Sequence, residues 1–274
     1  MKSGIFCIVL ILLSACSGLP NPKVINTEFG QSAFLKNGSD RPTIILESGL
    51  GDNMNSWESV ISSSGFTKKM FAYNRAGYSG SSSVAKERSA DSIVKELRLL
   101  LDKTETKPPY ILVGHSLGGL YMQLFAKKYP DDVLGVVLVD STYEGTDDDC
   151  VMKNSVCEQQ GKMPWWAKTV LADGVAGEHE SMSESMRQVR DAGDFPQIPL
   201  VVLSRGKNPW EGNRSTEDWQ KRRWIEAQEN QKKLALLSSS SKQIICMSCG
   251  HYVHQDKPEL VDEAIAWILD RDRQ

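Results

Sequence analysis

"ILVGHSLGGL", residues 111–120, decides how the rest of the chain is read. An apolar run ends at Gly114, Ser116 stands two places on with glycines around it, and an apolar-periodic stretch begins at once. That order predicts a buried strand, a sharp turn carrying the serine, and a helix. A serine on a strained strand-to-helix turn projects its hydroxyl clear of the backbone. Glycines beside it relieve crowding where chain segments nearly touch. The free N–H groups of the new helix point at the same place.

Working outward, apolar runs alternate with helical patterns. "TIILE" (43–47), "KMFAYN" (69–74), "PYILVG" (109–114), "VLGVVLVD" (133–140), "PLVVLS" (199–204) and "KQIICM" (242–247) read as strands. "ADSIVKELRLLLDK" (90–103), "LGGLYMQLFAKKY" (117–129) and "PELVDEAIAWILD" (258–270) carry apolar residues at helical spacing. The strands are apolar throughout, without alternation, so both faces should be covered. That predicts an α/β fold: a mostly parallel central sheet with helices on both faces. "VINTEFGQSAFLKNG" (24–38) does alternate and ends on a Lys-Asn-Gly-Ser turn signal, which predicts an antiparallel hairpin. Residues 141–197 hold Cys150, Cys157, Trp165 and Trp166 but no clear strand, and an insertion of that length reads as a lid. Residues 208–238, with Trp210, Trp219 and Trp224, predict one or two helices beside it.

The chain of 274 residues, 40% hydrophobic and 24% charged, suits one large domain from 24 to 274 with the lid inserted. A net charge of -3 gives no reason to expect nucleic acid as a partner. The N-terminus is separate. "MKSGIFCIVLILLSAC" has one lysine, an apolar run and then small residues, the layout of a secretory signal over 1–15. Its apolar run is shorter than the ~20 residues that span a bilayer. Leu13-Ser14-Ala15-Cys16 resembles a bacterial lipobox. The resemblance implies cleavage before Cys16, acylation of that cysteine, and a lipidated tether over 16–23. Ser17 in place of aspartate implies the outer membrane, with the domain facing the periplasm. Cys150, Cys157, Cys246 and Cys249 then remain, an even number in a compartment that permits disulfides. Cys150 and Cys157 could bridge to each other; free buried thiols are the alternative. On one extended strand Cys246 and Cys249 would stand roughly 10 Å apart, so they bridge only if the chain turns after Cys246.

"GHSLGGLYMQLFAKKYPDDVLGVVLVD", "ESGLGDNMNSW", "YNRAGYSGS" and "CGHYVHQDKPELV" stand in the order and spacing of the α/β-hydrolase superfamily, which the chain resembles from about residue 24 to 270. The resemblance implies Ser116 as nucleophile. A serine hydroxyl is weak and needs a base. Of four histidines, the resemblance points to His251, in a Gly-His pair after the last strand. It leaves His254 as a neighbour lining the site, His115 packed beneath the turn, and His179 on the lid surface. A carboxylate must hold the imidazole. Many superfamily members carry it after the strand at 199–204, but Arg205-Gly206-Lys207-Asn208 contain no acid. Asp140, ending the preceding strand, keeps the chain order Ser, Asp, His. Glu211, Glu217 and Asp218 remain alternatives, and Asp140 could instead cap the turn into Ser141 and Thr142. The oxyanion donors implied are the backbone N–H groups of Leu117 and of Leu50, in the loop Glu47-Ser48-Gly49-Leu50-Gly51. Glu47 occupies a place where many relatives carry histidine.

Cys246, Cys249, His251 and His254 also spell C-x2-C-x-H-x2-H. As zinc ligands they are too compact, since structural sites usually separate their ligand pairs by a longer loop. No metal or organic cofactor is expected. Serine rather than aspartate at 116 argues against dehalogenase or epoxide hydrolase chemistry. The expected reaction is acyl transfer to water from an ester, thioester or amide of a small, apolar substrate. A catalytically silent binding protein of the cell envelope is the alternative. The acyl group, the leaving group and the oligomeric state are left open.

Overall fold

The six apolar runs form the parallel part of an eight-stranded sheet in the computed structural model, which describes residues 19–38, 41–64, 68–82, 87–146, 173–212 and 218–272. They are β3 (Thr43–Glu47), β4 (Met70–Tyr73), β5 (Tyr110–His115), β6 (Val133–Val139), β7 (Leu200–Arg205) and β8 (Ser241–Cys246). β1 (Lys23–Thr27) and β2 (Gly30–Lys36) complete the sheet, in the order β1-β2-β4-β3-β5-β6-β7-β8. β2 runs antiparallel to both β1 and β4, and every later pairing is parallel.

Alternate residues of each strand feed two apolar layers. Ile45, Leu112 and Leu138 face α2 (Ala90–Lys103) and α3 (Leu117–Lys128), against Leu97, Leu101 and Phe125. Ile111, Val113 and Val137 face α1 (Glu58–Ser63) and the last helix, against Trp57, Val261 and Ile265. Two-sided burial is why β3 to β7 carry no polar alternation; β8, expected to be covered on both faces, instead lies at the sheet edge half-buried, with Ile245 exposed.

The predicted hairpin forms, but its turn is at Glu28-Phe29 and not at the Lys-Asn-Gly-Ser signal. Thr27 takes over the turn: its Oγ1 accepts from Phe29 N at 3.1 Å and donates to Gly30 O at 3.0 Å. The Lys-Asn-Gly segment instead docks on β4. Asn37 Oδ1 accepts from Met70 N at 2.8 Å, and a Cβ on Gly38 would lie 2.8 Å from Lys69 Cα.

The described part of the insertion between β6 and β7 holds α4 (Asp173–Glu180) and α5 (Met182–Asp191). Met186 and Val189 of α5 are core residues shared with α2 and α3, so this half of the expected lid is welded to the domain. Cys150, Cys157, Trp165 and Trp166 lie outside the described residues, as does the N-terminal segment with Cys16. α6 (Asp218–Ala235) covers β7 and β8, the short α7 (Val253–Asp256) follows β8, and α8 (Pro258–Asp272) closes the chain. No helix among the described residues is long and apolar enough to cross a membrane.

β5 and α3 meet backbone to backbone. A Cβ on Gly114 would fall 2.6 Å from Gly119 Cα, with no flexible side chain to give way. Gly114→Ala is expected to lower unfolding free energy by about 1–3 kcal/mol, as overpacking does. Gly250→Ala, whose added carbon meets nothing closer than 3.7 Å, serves as the control. Urea denaturation of both variants checks the contrast, and equal midpoints would contradict it.

Candidate active site

Ser116 sits between β5 and α3 with φ 52° and ψ -122°, a conformation a side-chain-bearing residue rarely adopts. Three backbone hydrogen bonds hold it. Its N–H donates to Val139 O at 3.1 Å, and its carbonyl accepts from Gly119 N and Thr142 N, each at 3.0 Å. α3 then starts hard against the loop after β3: a Cβ on Gly118 would lie 2.4 Å from Ser48 O. That approach brings the Leu117 end of α3 beside the loop that carries Leu50.

The imidazole arrives from the other end of the chain. β8 stops at Cys246, Cys249 N donates back to Cys246 O at 3.1 Å, and the turn lets Cys246 and Cys249 join in a disulfide with Cα atoms 5.3 Å apart. Gly250 N donates to Asp256 Oδ2 at 2.8 Å, steadying the loop further. His251 Nε2 then stands 3.0 Å from Ser116 Oγ, and Nδ1 stands 2.5 Å from Asp140 Oδ2. A carboxylate only accepts, so Nδ1 carries a proton, and in the neutral ring Nε2 is then the acceptor facing the hydroxyl.

Asp140 follows β6 with φ 42° and is 6% exposed. Its N–H donates to Leu203 O at 2.7 Å, and its Oδ1 accepts from Arg205 N at 3.2 Å. Arg205 Nε lies 3.3 Å from Oδ2, an ion-pair contact without hydrogen-bond alignment. The arginine therefore stands where the resemblance leads one to look for an acid, and it faces the acid on the neighbouring strand. Of the alternatives, Asp218 is exposed and paired with Lys221 at 3.6 Å, and Glu211 is exposed. Glu217 lies outside the described residues.

The other histidines divide. His115 is buried and its Nε2 lies 3.1 Å from the His251 carbonyl. A carbonyl accepts, so His115 donates and pins the base loop; burial pushes its imidazole toward the neutral form. His254 does not line the site. It is fully buried, with its ring 4.4 Å from that of Trp57 and 4.5 Å from that of His115. Apolar packing beneath the sheet edge captured it, and burial pushes its imidazole down to about 2. His179 is half-buried on α4.

A cavity of about 290 Å³ opens onto Ser116 and His251 between α5 and α6. Met182 and Met186 line one side, Trp210 and Arg223 the other. Among the described residues no group of three or more His, Cys, Asp or Glu side chains could hold a metal ion. The compact Cys/His set is instead spent on the disulfide, on Ser116 and Asp140, and on Trp57.

Two residues beside the site were not singled out from the sequence, although Arg75 stands within the stretch "YNRAGYSGS". Arg75, in the loop after β4, is 2% exposed and donates to the carbonyls of Ser48 and Gly49 at 2.6 and 2.8 Å. Glu178, on α4, is fully buried against it. Their partnership links stretches 103 residues apart, beyond any local pattern.

A sequence profile of the alpha/beta hydrolase fold family matches residues 42–245, and the chain belongs to that family. The uncharacterized protein YqjL of Bacillus subtilis is 29% identical over 231 residues, covering 84% of each chain. Among solved structures, the enol-lactonase of Burkholderia xenovorans LB400 superposes with a TM-score of 0.61 at 14% identity, over 90% of this chain and 100% of that one. A hydrolase of Pseudomonas aeruginosa PA01 gives 0.62 at 16% identity, over 91% and 98%. At such identities the two structures speak for the fold alone.

Burial of His254 has a measurable consequence. Folded His254 binds a proton only near pH 2, whereas an unfolded histidine does so near pH ~6.5. Its contribution to stability is thus complete above about pH 6.5 and is lost as pH falls, by about 2 kcal/mol at pH 5. His254→Phe keeps a ring on Trp57 but cannot titrate. Urea denaturation at pH 7.5 and 5 should show the native chain losing about 2 kcal/mol more than the variant. Equal losses would contradict the assignment.

Proposed function

We propose that the protein is a serine hydrolase that cleaves a carboxylic ester, or a related thioester or amide, of a small apolar substrate through an acyl-enzyme. The reading rests on one observation: hydroxyl, imidazole and carboxylate stand in line at 3.0 and 2.5 Å, with the tautomer a general base requires. Ser116 Oγ attacks the carbonyl carbon while His251 Nε2 takes its proton, and Asp140 stabilises the imidazolium. The carbonyl electron pair moves onto oxygen, which the Leu50 and Leu117 N–H groups receive. The tetrahedral species collapses, the leaving alcohol departs with the proton from His251, and Ser116 stays acylated. Water, deprotonated by His251, then attacks the acyl group and frees the acid. Met182, Met186 and Trp210 give the cavity an apolar part, which supports an apolar acyl or alcohol group there, while Arg223, Glu226 and Asn230 leave the rest of the lining polar. The name of the enol-lactonase points to ester-type chemistry on the same fold.

A fluorophosphonate probe is expected to label Ser116, and the label to vanish in Ser116→Ala. Asp140→Asn should lower kcat for nitrophenyl esters by about 10³–10⁴-fold, because the ring loses its orienting acceptor. Rates along a panel of rising acyl length should peak at a chain that fills the cavity. A folded protein with no labelling and no turnover would instead be an envelope binding protein.

The same proposal places the domain in the bacterial envelope, on a tether lipidated at Cys16 and facing the periplasm from the outer membrane. More than one acyl chain makes such anchoring stable. Cys16→Ser should shift the exported protein from the membrane fraction to the soluble fraction, read by fractionation. Retention of the variant on membranes would remove the lipid anchor from the reading.

A further inference from the structure

The guanidinium of Arg75 has an acceptor for every N–H. Nη1 donates to Glu47 Oε1 and to Ser48 O, both at 2.6 Å. Nη2 donates to Gly49 O at 2.8 Å, with Tyr78 Oη a further, longer contact at 3.1 Å. Nε and Nη2 reach the two carboxylate oxygens of Glu178 at 2.7 and 2.8 Å, a bidentate pair. Arg75, Glu47 and Glu178 are all at most 2% exposed.

These contacts act on the peptide that matters. Gly49 O and the Leu50 N–H belong to one planar trans peptide and point in opposite directions. A grip on that oxygen therefore aims that N–H. The far side of Leu50 is held as well: Gly51 N donates to Tyr78 Oη at 3.2 Å, and Tyr78 Oη donates to Glu178 Oε2 at 2.8 Å. Glu178 arrives on α4, from the insertion between β6 and β7. α4 is seated on the Arg75 loop by a close approach of two glycines, for a Cβ on Gly77, where φ is +83°, would fall 2.4 Å from Gly174 N.

We propose that Arg75 is a positioning residue that aims the Leu50 oxyanion donor, and that Glu178 makes this alignment depend on the inserted helix. The inference rests on the serine-hydrolase reading, since the direction of the Leu50 N–H has a chemical effect only where an oxyanion forms. A buried ion pair by itself says little about stability. What singles this one out is where its remaining donors go, onto consecutive carbonyls of the donor loop. The insertion thereby bears on transition-state binding as well as on the shape of the cavity.

The test separates alignment from stability. Glu178→Gln, Tyr78→Phe and Arg75→Lys are compared with the native enzyme for kcat, KM, thermal denaturation and inhibition by a trifluoromethyl ketone. That ketone accepts Ser116 Oγ at its carbonyl carbon, the serine proton passes to His251, and the carbonyl oxygen becomes an oxyanion resembling the transition state. Misaiming one donor should lower kcat by about tenfold or more and leave KM within about twofold. The ketone should weaken by the same factor as kcat. Folded variants with native kcat and ketone affinity would overturn the proposal, and so would a rise in KM that the ketone merely follows. If Arg75→Lys fails to fold, the two milder variants carry the same comparison. Failure of the hydrolase reading itself is seen first in the native protein, as absent labelling and turnover, and takes this proposal with it.

Discussion

The close approach of β5 and α3 is the constraint on which the rest of the molecule depends. Strand and helix share so little space that a methyl at Gly114 would sit 2.6 Å from Gly119 Cα. The chain reverses between them in one residue, and that residue is Ser116 at φ 52°. A side-chain-bearing residue held there costs about 1–3 kcal/mol. The surroundings offset this with backbone hydrogen bonds from three directions: from Val139 on β6, from Gly119 on α3 and from Thr142 beyond β6. Because one donor and one acceptor come from the β6 end, the strain is shared with the segment that carries Asp140. Distortion at the serine and placement of the carboxylate are thus parts of one arrangement.

Much of this was legible because it is local. Six short apolar runs without alternation read as strands, and each forms within a residue or two of its expected bounds, five of them buried on both faces and β8 half-exposed at the edge. Ser116, Asp140 and His251, singled out through the family resemblance, each stand at the C-terminal end of a strand or in the loop after it, and the fold brings their side chains together. What failed depended on competition or distance. The Lys-Asn-Gly-Ser signal lost the hairpin turn to Thr27, whose hydroxyl both accepts and donates within the turn. His254 was expected at the site, yet Trp57 and His115 enclose it. Arg75 and Glu178 find each other only after β4 and the insertion have folded onto the same edge.

The buried charges around Arg75 call for a reason other than stability. Glu47, Glu96 and Glu178 are held by Arg75 and Arg88, all at most 9% exposed. Burial pushes the Glu47 carboxyl up, and the neighbouring guanidinium pulls it back. Apolar residues of equal volume often stabilise as well as such a cluster. They could not grip carbonyls. With Glu47 at its end, β3 is bridged by the guanidinium to two carbonyls of the loop and to α4 at once.

The position of the carboxylate follows a similar logic. With Asp140 after β6, the loop after β7 is free to carry Arg205, whose N–H and Nε face the acid at 3.2 and 3.3 Å. Asp140 thereby holds two neighbours on one carboxylate, His251 Nδ1 at Oδ2 and the Arg205 backbone N–H at Oδ1. The two contacts on Oδ2 are unequal: His251 Nδ1 lies 2.5 Å from it, while Arg205 Nε lies 3.3 Å from the same oxygen without hydrogen-bond alignment. Interaction energy falls with separation, so the nearer carboxylate governs the ring and the arginine chiefly anchors the carboxylate.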